Sequence, residues 1–212
     1  MTLPPDPRAT AATSRPVAIG LPPEPAKQRP LRTLIWDVER NPALSWHFKR
    51  WQVDIRRFAT TIPERVFCYG WSWLGETAID FDYDMHYDDR RAYVEKLWNL
   101  LNEADRIITF NGITADNRWT NNEFLEYGLG PVEYQNIDLF RIAKRRFDLP
   151  FKSLDFLAEY VGVARKGHVS EYFTTWQRYL EGDRAAVTEF QQYSMQDILV
   201  TREVYNKLEP WV

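Results

Sequence analysis

The sequence predicts a mixed α/β fold, a sheet flanked by helices. Three observations predict it. Three strand-like segments come first, and the second and third lie close enough to pair as a hairpin. Segments with helical spacing then alternate with further short strands, the pattern of a sheet covered by helices. Apolar residues make up 44% and aromatic residues 15% of the 212, enough for a sizeable core and too much for a disordered chain.

Residues 1–30 stand apart, because eight of the 13 prolines lie in them. Proline at that density removes backbone donors and blocks helix and sheet. They read as a disordered or extended tail, or as a docking arm, and residues 31–212 read as the folded domain. LRTLIWDVER (31–40) is a buried strand, apolar at Leu31, Leu34, Ile35, Trp36 and Val38. Residues 41–63 show no clear period and hold Trp46 and Trp51. VFCYGWSWL (66–74) and TAIDFDY (77–83) are strand-like around a Gly75-Glu76 turn. DDRRAYVEKLWNLLNEA (88–104) spaces Tyr93, Val94, Leu97, Leu100 and Leu101 as a helix, with an acidic start that suits the helix dipole. RIITFNG (106–112) is a strand running into a turn, and 114–127 read as a helix that Thr114 or Asp116 could cap. A short strand near Tyr134–Ile137 makes the fifth. Helices follow at DLFRIAKRRF (138–147), at SLDFLAEYVG (153–162, Ser153 as N-cap and Gly162 as stop) and over about 183–208.

Composition excludes some functions. With 27 Lys plus Arg, 30 Asp plus Glu and a net charge of −3, a strongly basic nucleic-acid coat protein is excluded. A nucleic-acid enzyme is not, because such enzymes concentrate carboxylates at a metal site. The single cysteine, Cys68, permits neither an internal disulfide nor a Cys-based zinc site. No run of about 18 apolar residues and no apolar leader core occurs. The expectation is a cytoplasmic, reducing location with no membrane partner.

Several carboxylates could carry chemistry. Asp37 and Glu39 end the first strand as D-V-E, and the strand period of two points both to one face. The pair is either a solvated strand end or one neutralised by a divalent ion. Asp197 lies one helical turn after Tyr193, so phenol and carboxylate share a face; Tyr193 alone could equally be a core residue with a wet hydroxyl. Asp116 follows the turn FNGITAD, as a helix cap or as a ligand.

The order along the chain is D-x-E, then N-G-x-x-x-D after a later strand, then Y-x-x-x-D on the last helix. It resembles the three motifs of the DEDD superfamily of 3′-to-5′ exonucleases, which includes the proofreading domains of DNA polymerases. Tyr193 places it in the DEDDy branch; the His branch needs His at 192, which is Gln. The resemblance spans about residues 31–212, and FNGITAD, IDLFRIAKRRF and SMQDILVTREVYNKLEPW look like text of stand-alone exonucleases of phages and bacteria. Ala115, where relatives often carry an aromatic residue, and Asn117-Arg118-Trp119 depart from it.

The resemblance implies a ribonuclease H-like fold, a mixed five-stranded sheet. It implies that Asp37, Glu39 and Asp197 hold one divalent ion, Mg²⁺ or Mn²⁺. Asp37 would bridge to a second ion that Asp116 reaches directly or through water, and Tyr193 would orient the attacking water. Hard cations take oxygen ligands, and two ions about 3.5–4 Å apart suit phosphodiester hydrolysis without a histidine base. The three histidines, His47, His86 and His168, form no cluster in sequence.

Arg141, Lys144 and Arg145 make a basic helical face, extended by Arg146, and Arg165-Lys166 form a second basic pair beside His168. Each is a solvated face or a phosphate contact. Asn111, Arg145 and Lys166 are the substrate-binding candidates. Trp46, Trp51 and Trp119 are core residues or base-stacking platforms. The expected activity is metal-dependent 3′-to-5′ trimming of single-stranded DNA or frayed 3′ ends, in DNA processing or in proofreading beside a DNA polymerase, in a bacterial cell or phage-infected host. The alternatives are a 3′-to-5′ exoribonuclease on the same fold and a non-catalytic nucleic-acid or polymerase-binding module.

Overall fold

The computed structural model describes residues 29–48, 59–163 and 172–212. Residues 1–28 (most of the expected tail), Trp51 and the stretch with Arg165, Lys166 and His168 lie outside them. The chain divides into two units, Met1–Pro30 and Leu31–Val212, and every described helix and strand lies in the second.

Along the chain come β1 (Thr33–Arg40), the short β2 (Leu44–Ser45) and β3 (Thr60–Ile62), β4 (Val66–Trp73) and β5 (Asp80–Tyr83). Then come α1 (Arg90–Asn102), β6 (Arg106–Thr109), α2 (Asp116–Glu126), β7 (Gln135–Asp138) and α3 (Leu139–Arg146). α4 (Leu154–Tyr160), α5 (Tyr172–Leu180) and α6 (Arg184–Leu208) follow, and a 3₁₀ turn at Glu209–Trp211 comes after α6. Five strands form one sheet in the order β5-β4-β1-β6-β7, while β2 and β3 pair separately. β1 pairs antiparallel with β4 and parallel with β6, so the sheet is mixed, as the sequence predicts.

β1 is central and buried on both faces. Leu34, Trp36 and Val38 pack on Tyr93, Val94, Leu97 and Leu101 of α1 and on Phe124 of α2. Ile35 points the other way, into a cluster with Leu157 of α4 and Ile198 and Val204 of α6. Strand alternation therefore commits Asp37 and Glu39 to the α6 side.

α6 runs for 25 residues. Asp183 caps it by accepting the Ala185 N–H at 2.8 Å. Its buried stripe runs Ala186, Phe190, Ser194, Asp197, Thr201, Val204 and Leu208, so a carboxylate takes a core position on a regular helical face. Gly70 of β4 pairs with Asp37 across the strands. A Cβ there would overlap the Ser194 hydroxyl and touch Ile198 Cγ1 at 3.4 Å. Glycine at 70 is what lets α6 lie this close to β1 and β4.

Three differences from the sequence reading have physical causes. Neither Thr114 nor Asp116 caps α2: the N-cap is Ala115, with no side-chain bond. The Thr114 hydroxyl donates instead to Asn111 Oδ1 at 2.6 Å, and Asp116 is the first helical residue. The helix α5 was not expected. It has nine residues, and its Thr and aromatic content fits strand as readily as helix. Tertiary packing makes it helical, with Trp176 and Tyr179 against Phe67 and Phe190. β2 and β3, of two and three residues, are too short to show an alternation.

Candidate metal centre and active site

Asp37 and Glu39 from β1 and Asp197 from α6 converge. Each offers a carboxylate oxygen, and the three oxygens lie within 4.8 Å of one another. Asp197 is 4% exposed, and the two β1 residues are half-buried. Unit charges about 4 Å apart repel by about 1 kcal/mol in bulk water and by roughly four times that near a protein surface. Three such groups held together could hold a cation. The donor set is all hard oxygen, which suits Mg²⁺ or Mn²⁺ and not a soft metal. The β1–β4 register shifts between Glu39 and Arg40, and such irregularities commonly re-aim side chains beside active sites.

The negative field is visible in the neighbours. Cys68 lies opposite Glu39; burial, then the charges of Glu39 and Asp37, push its thiol well up, so it is inert. Tyr172, the first residue of α5, donates its hydroxyl to Glu39 Oε2 at 2.9 Å. Burial and then the Glu39 charge push that phenol up, so it stays a neutral donor.

A cleft of about 350 Å³ opens over Asp37, Tyr193 and Asp197. Phe110, just past β6, forms one wall, and Ser153 to Asp155 at the start of α4 form another. Ser153 caps α4 by accepting the Phe156 N–H at 3.2 Å. Tyr193 and Asp197 share the cleft because they stand one turn apart on α6.

Asp116 is buried, 5% exposed, but is not among the three converging carboxylates. Burial, then its charge, push the Tyr134 phenol up to about 12. Asn111 sits in the turn before α2 with φ 65°, a left-handed conformation that Asn tolerates better than most residues. That turn is pinned from β7. Asp138 Oδ1 accepts the Asn111 N–H at 3.0 Å and Oδ2 the Ile113 N–H at 3.3 Å. The same Oδ1 accepts the Arg141 N–H at 3.3 Å and so caps α3.

Arg145 does not line the acidic cleft. With Arg141 it opens on a separate groove of about 440 Å³ beside β7. Lys144 and Arg146 are exposed on the same helix, and Lys166 lies outside the described residues. Trp46 is 75% exposed and so is not core, whereas Trp119 is half-buried against the α1 side of the sheet with the Arg40 guanidinium 5.3 Å from its ring centroid.

Sequence reasoning missed three residues here. Tyr172 contacts Glu39 across 133 positions, which no local pattern reveals. Asp155 adds a carboxylate to the cleft wall, and its only sequence signal was its place two residues after a helix cap. Asp138 looked like the start of a helix, and its second role, holding the Asn111 turn, depends on the pairing of β6 with β7.

A profile of the RNase_H superfamily matches residues 60–209. The span includes Asp116, Tyr193 and Asp197 and begins after Asp37 and Glu39. Among curated proteins none matches. Among solved structures the fold is similar to the family B DNA polymerase from the hyperthermophilic archaeon Pyrobaculum calidifontis, with a TM-score of 0.62 and 19% sequence identity. That match covers 86% of this chain and 25% of the polymerase, so the chain spans about a quarter of that protein. No described helix is long and apolar enough to cross a membrane.

Proposed function

The chain belongs to the RNase_H superfamily, and from that premise we propose that it is a metal-dependent 3′-to-5′ exonuclease of the DEDDy type. One observation carries the reading: Asp37, Glu39 and Asp197, from two elements far apart in sequence, present carboxylate oxygens within 4.8 Å of one another beside an open cleft. A divalent ion bound among three such carboxylates would offset their mutual repulsion.

In this reading Asp37, Glu39 and Asp197 hold one divalent ion, and Asp37 with Asp116 serves a second. Bound ions supply the positive charge that phosphodiester hydrolysis requires at the attacking and leaving oxygens. The Tyr193 phenol orients the attacking water, and Phe110 and the start of α4 confine the terminal nucleotide. Asn111, Arg145 and Lys166 are assigned to backbone contacts further along the strand. A cleft of this size takes one nucleotide, which favours unpaired ends and so single-stranded or frayed DNA. The fitting role is trimming 3′ ends beside a DNA polymerase in a bacterial or phage-infected cell, with residues 1–30 as a separate tail.

The test is a ladder assay on 5′-labelled single-stranded DNA and RNA of one sequence, with Mg²⁺ or Mn²⁺ and with EDTA. Stepwise shortening of the DNA, abolished by EDTA, is expected. Preference for RNA would move the assignment to an exoribonuclease. Cuts within circular single-stranded DNA would contradict an exonuclease, and inactivity on every substrate in both metals would leave a binding module.

A further inference from the structure

Glu39 stands at the end of β1, just before the register shift, and shares a small space with two like charges. Repulsion alone would swing its flexible side chain away from Asp37 and Asp197. One contact that opposes this comes from α5. The Tyr172 hydroxyl lies 2.9 Å from Glu39 Oε2 and 3.2 Å from the backbone carbonyl of Arg40. A phenol has one proton, and the charged, nearer oxygen is the stronger acceptor.

The ring that carries this hydroxyl is itself held. It packs edge-on against Phe190 of α6, with centroids 5.4 Å apart and planes at 79°. Phe190 in turn packs on Phe67 of β4 at 4.8 Å and on Tyr179 of α5 at 6.0 Å. The helix that supplies Asp197 therefore also braces the side chain that holds Glu39. A carboxylate has two oxygens and about four lone-pair sites, so a bond to Oε2 does not prevent ligation.

The geometry points to Tyr172 as a positioning residue that holds the Glu39 carboxylate turned toward Asp37 and Asp197, so that the three donors converge before an ion binds. This rests on the reading of Glu39 as a metal ligand. Partners of this kind, bonded to a ligand and not to the ion, typically contribute about 10- to 100-fold in metal affinity.

The experiment is Mn²⁺ titration by isothermal calorimetry, without nucleic acid, on the full chain. Wild type, Tyr172→Phe, Glu39→Gln and the double variant are compared. Tyr172→Phe removes one oxygen and keeps the ring against Phe190, and a thermal melt checks the fold. Tyr172→Phe is expected to weaken Mn²⁺ binding about 10-fold and to add nothing in the Glu39→Gln background. The Mn²⁺ concentration for half-maximal cleavage should rise by the same factor, with the rate restored at saturation. Weakened binding in Glu39→Gln with unchanged binding in Tyr172→Phe would overturn the positioning role alone. Equal binding in wild type and Glu39→Gln would overturn the ligand reading of Glu39, and the positioning role with it.

Discussion

Asp82 and Asp197 are buried to nearly the same degree, 2% and 4% exposed, yet their surroundings are opposite. Asp82 Oδ2 accepts from the Tyr69 hydroxyl at 3.2 Å and the Tyr87 hydroxyl at 2.5 Å and pairs with Lys96 at 2.7 Å, while Oδ1 accepts the Tyr83 N–H at 3.0 Å. Burial alone would raise its carboxyl, but the hydrogen bonds from Lys96 and Tyr87 outweigh that and hold it below the usual carboxylate range. Asp197 instead faces two further carboxylates. Asp82 is thus structural, and its depressed folded value fixes a sign. It contributes stability above the unfolded value of about 3.9, and that contribution is lost as pH falls through the folded value. Asp82→Asn should lower stability at neutral pH by about 2 kcal/mol and flatten the pH dependence below about pH 4. Urea unfolding from pH 3 to 7 measures both, and an unchanged acid slope would count against the assignment.

At the scale of elements, the site depends on how closely α6 approaches β1 and β4. Gly70→Ala puts a methyl where the Ser194 hydroxyl sits. Overpacking of this kind typically costs about 1–3 kcal/mol, and here the shift displaces Asp197 from Asp37 and Glu39. The variant should melt lower and also bind Mn²⁺ more weakly, whereas a lower melt with wild-type Mn²⁺ affinity would show that α6 adjusts elsewhere. The β6–α2 turn makes a parallel case. Gly112 lies so close to Thr109 that a Cβ would come within 2.5 Å of the threonine hydroxyl oxygen. Gly112→Ala should therefore loosen the turn that precedes Asp116, seen as faster amide exchange at Asn111 and Ile113, whose N–H groups bond Asp138. Protection equal to wild type would refute this.

These contrasts also explain what could be read from the chain. D-V-E on a buried strand and Y-x-x-x-D on a long amphipathic helix are periodic signals, so the shared faces of Asp37 with Glu39 and of Tyr193 with Asp197 were legible. So were the hairpin, the cap at Ser153 and the extent of α6, within a residue or two. That the two faces meet was legible only through the resemblance, since it needs the sheet order. α5 escaped because its helicity comes from packing on Phe67 and Phe190 and not from its own propensities. The Tyr172 contact escaped with it. The capping role expected of Thr114 or Asp116 failed because the turn folds back on Asn111 instead.

At the scale of the whole molecule, the unit Leu31–Val212 holds every described element that builds the site, and no sequence motif lies in residues 1–30. Removing residues 1–30 should leave cleavage of short oligonucleotides within about 2-fold; a large drop with the fold intact would show that these residues contribute to the site. In the proposed mechanism the carboxylates hold ions while Tyr193 acts on water. Single-turnover cleavage of 5′-labelled single-stranded DNA at saturating Mn²⁺ tests it most directly, because saturation separates lost chemistry from lost metal. Wild type should be fastest, Tyr193→Phe about 10- to 100-fold slower, and Asp37→Ala and Asp197→Ala nearly inactive. A folded Asp197→Ala protein that cleaves at the wild-type rate would contradict this mechanism.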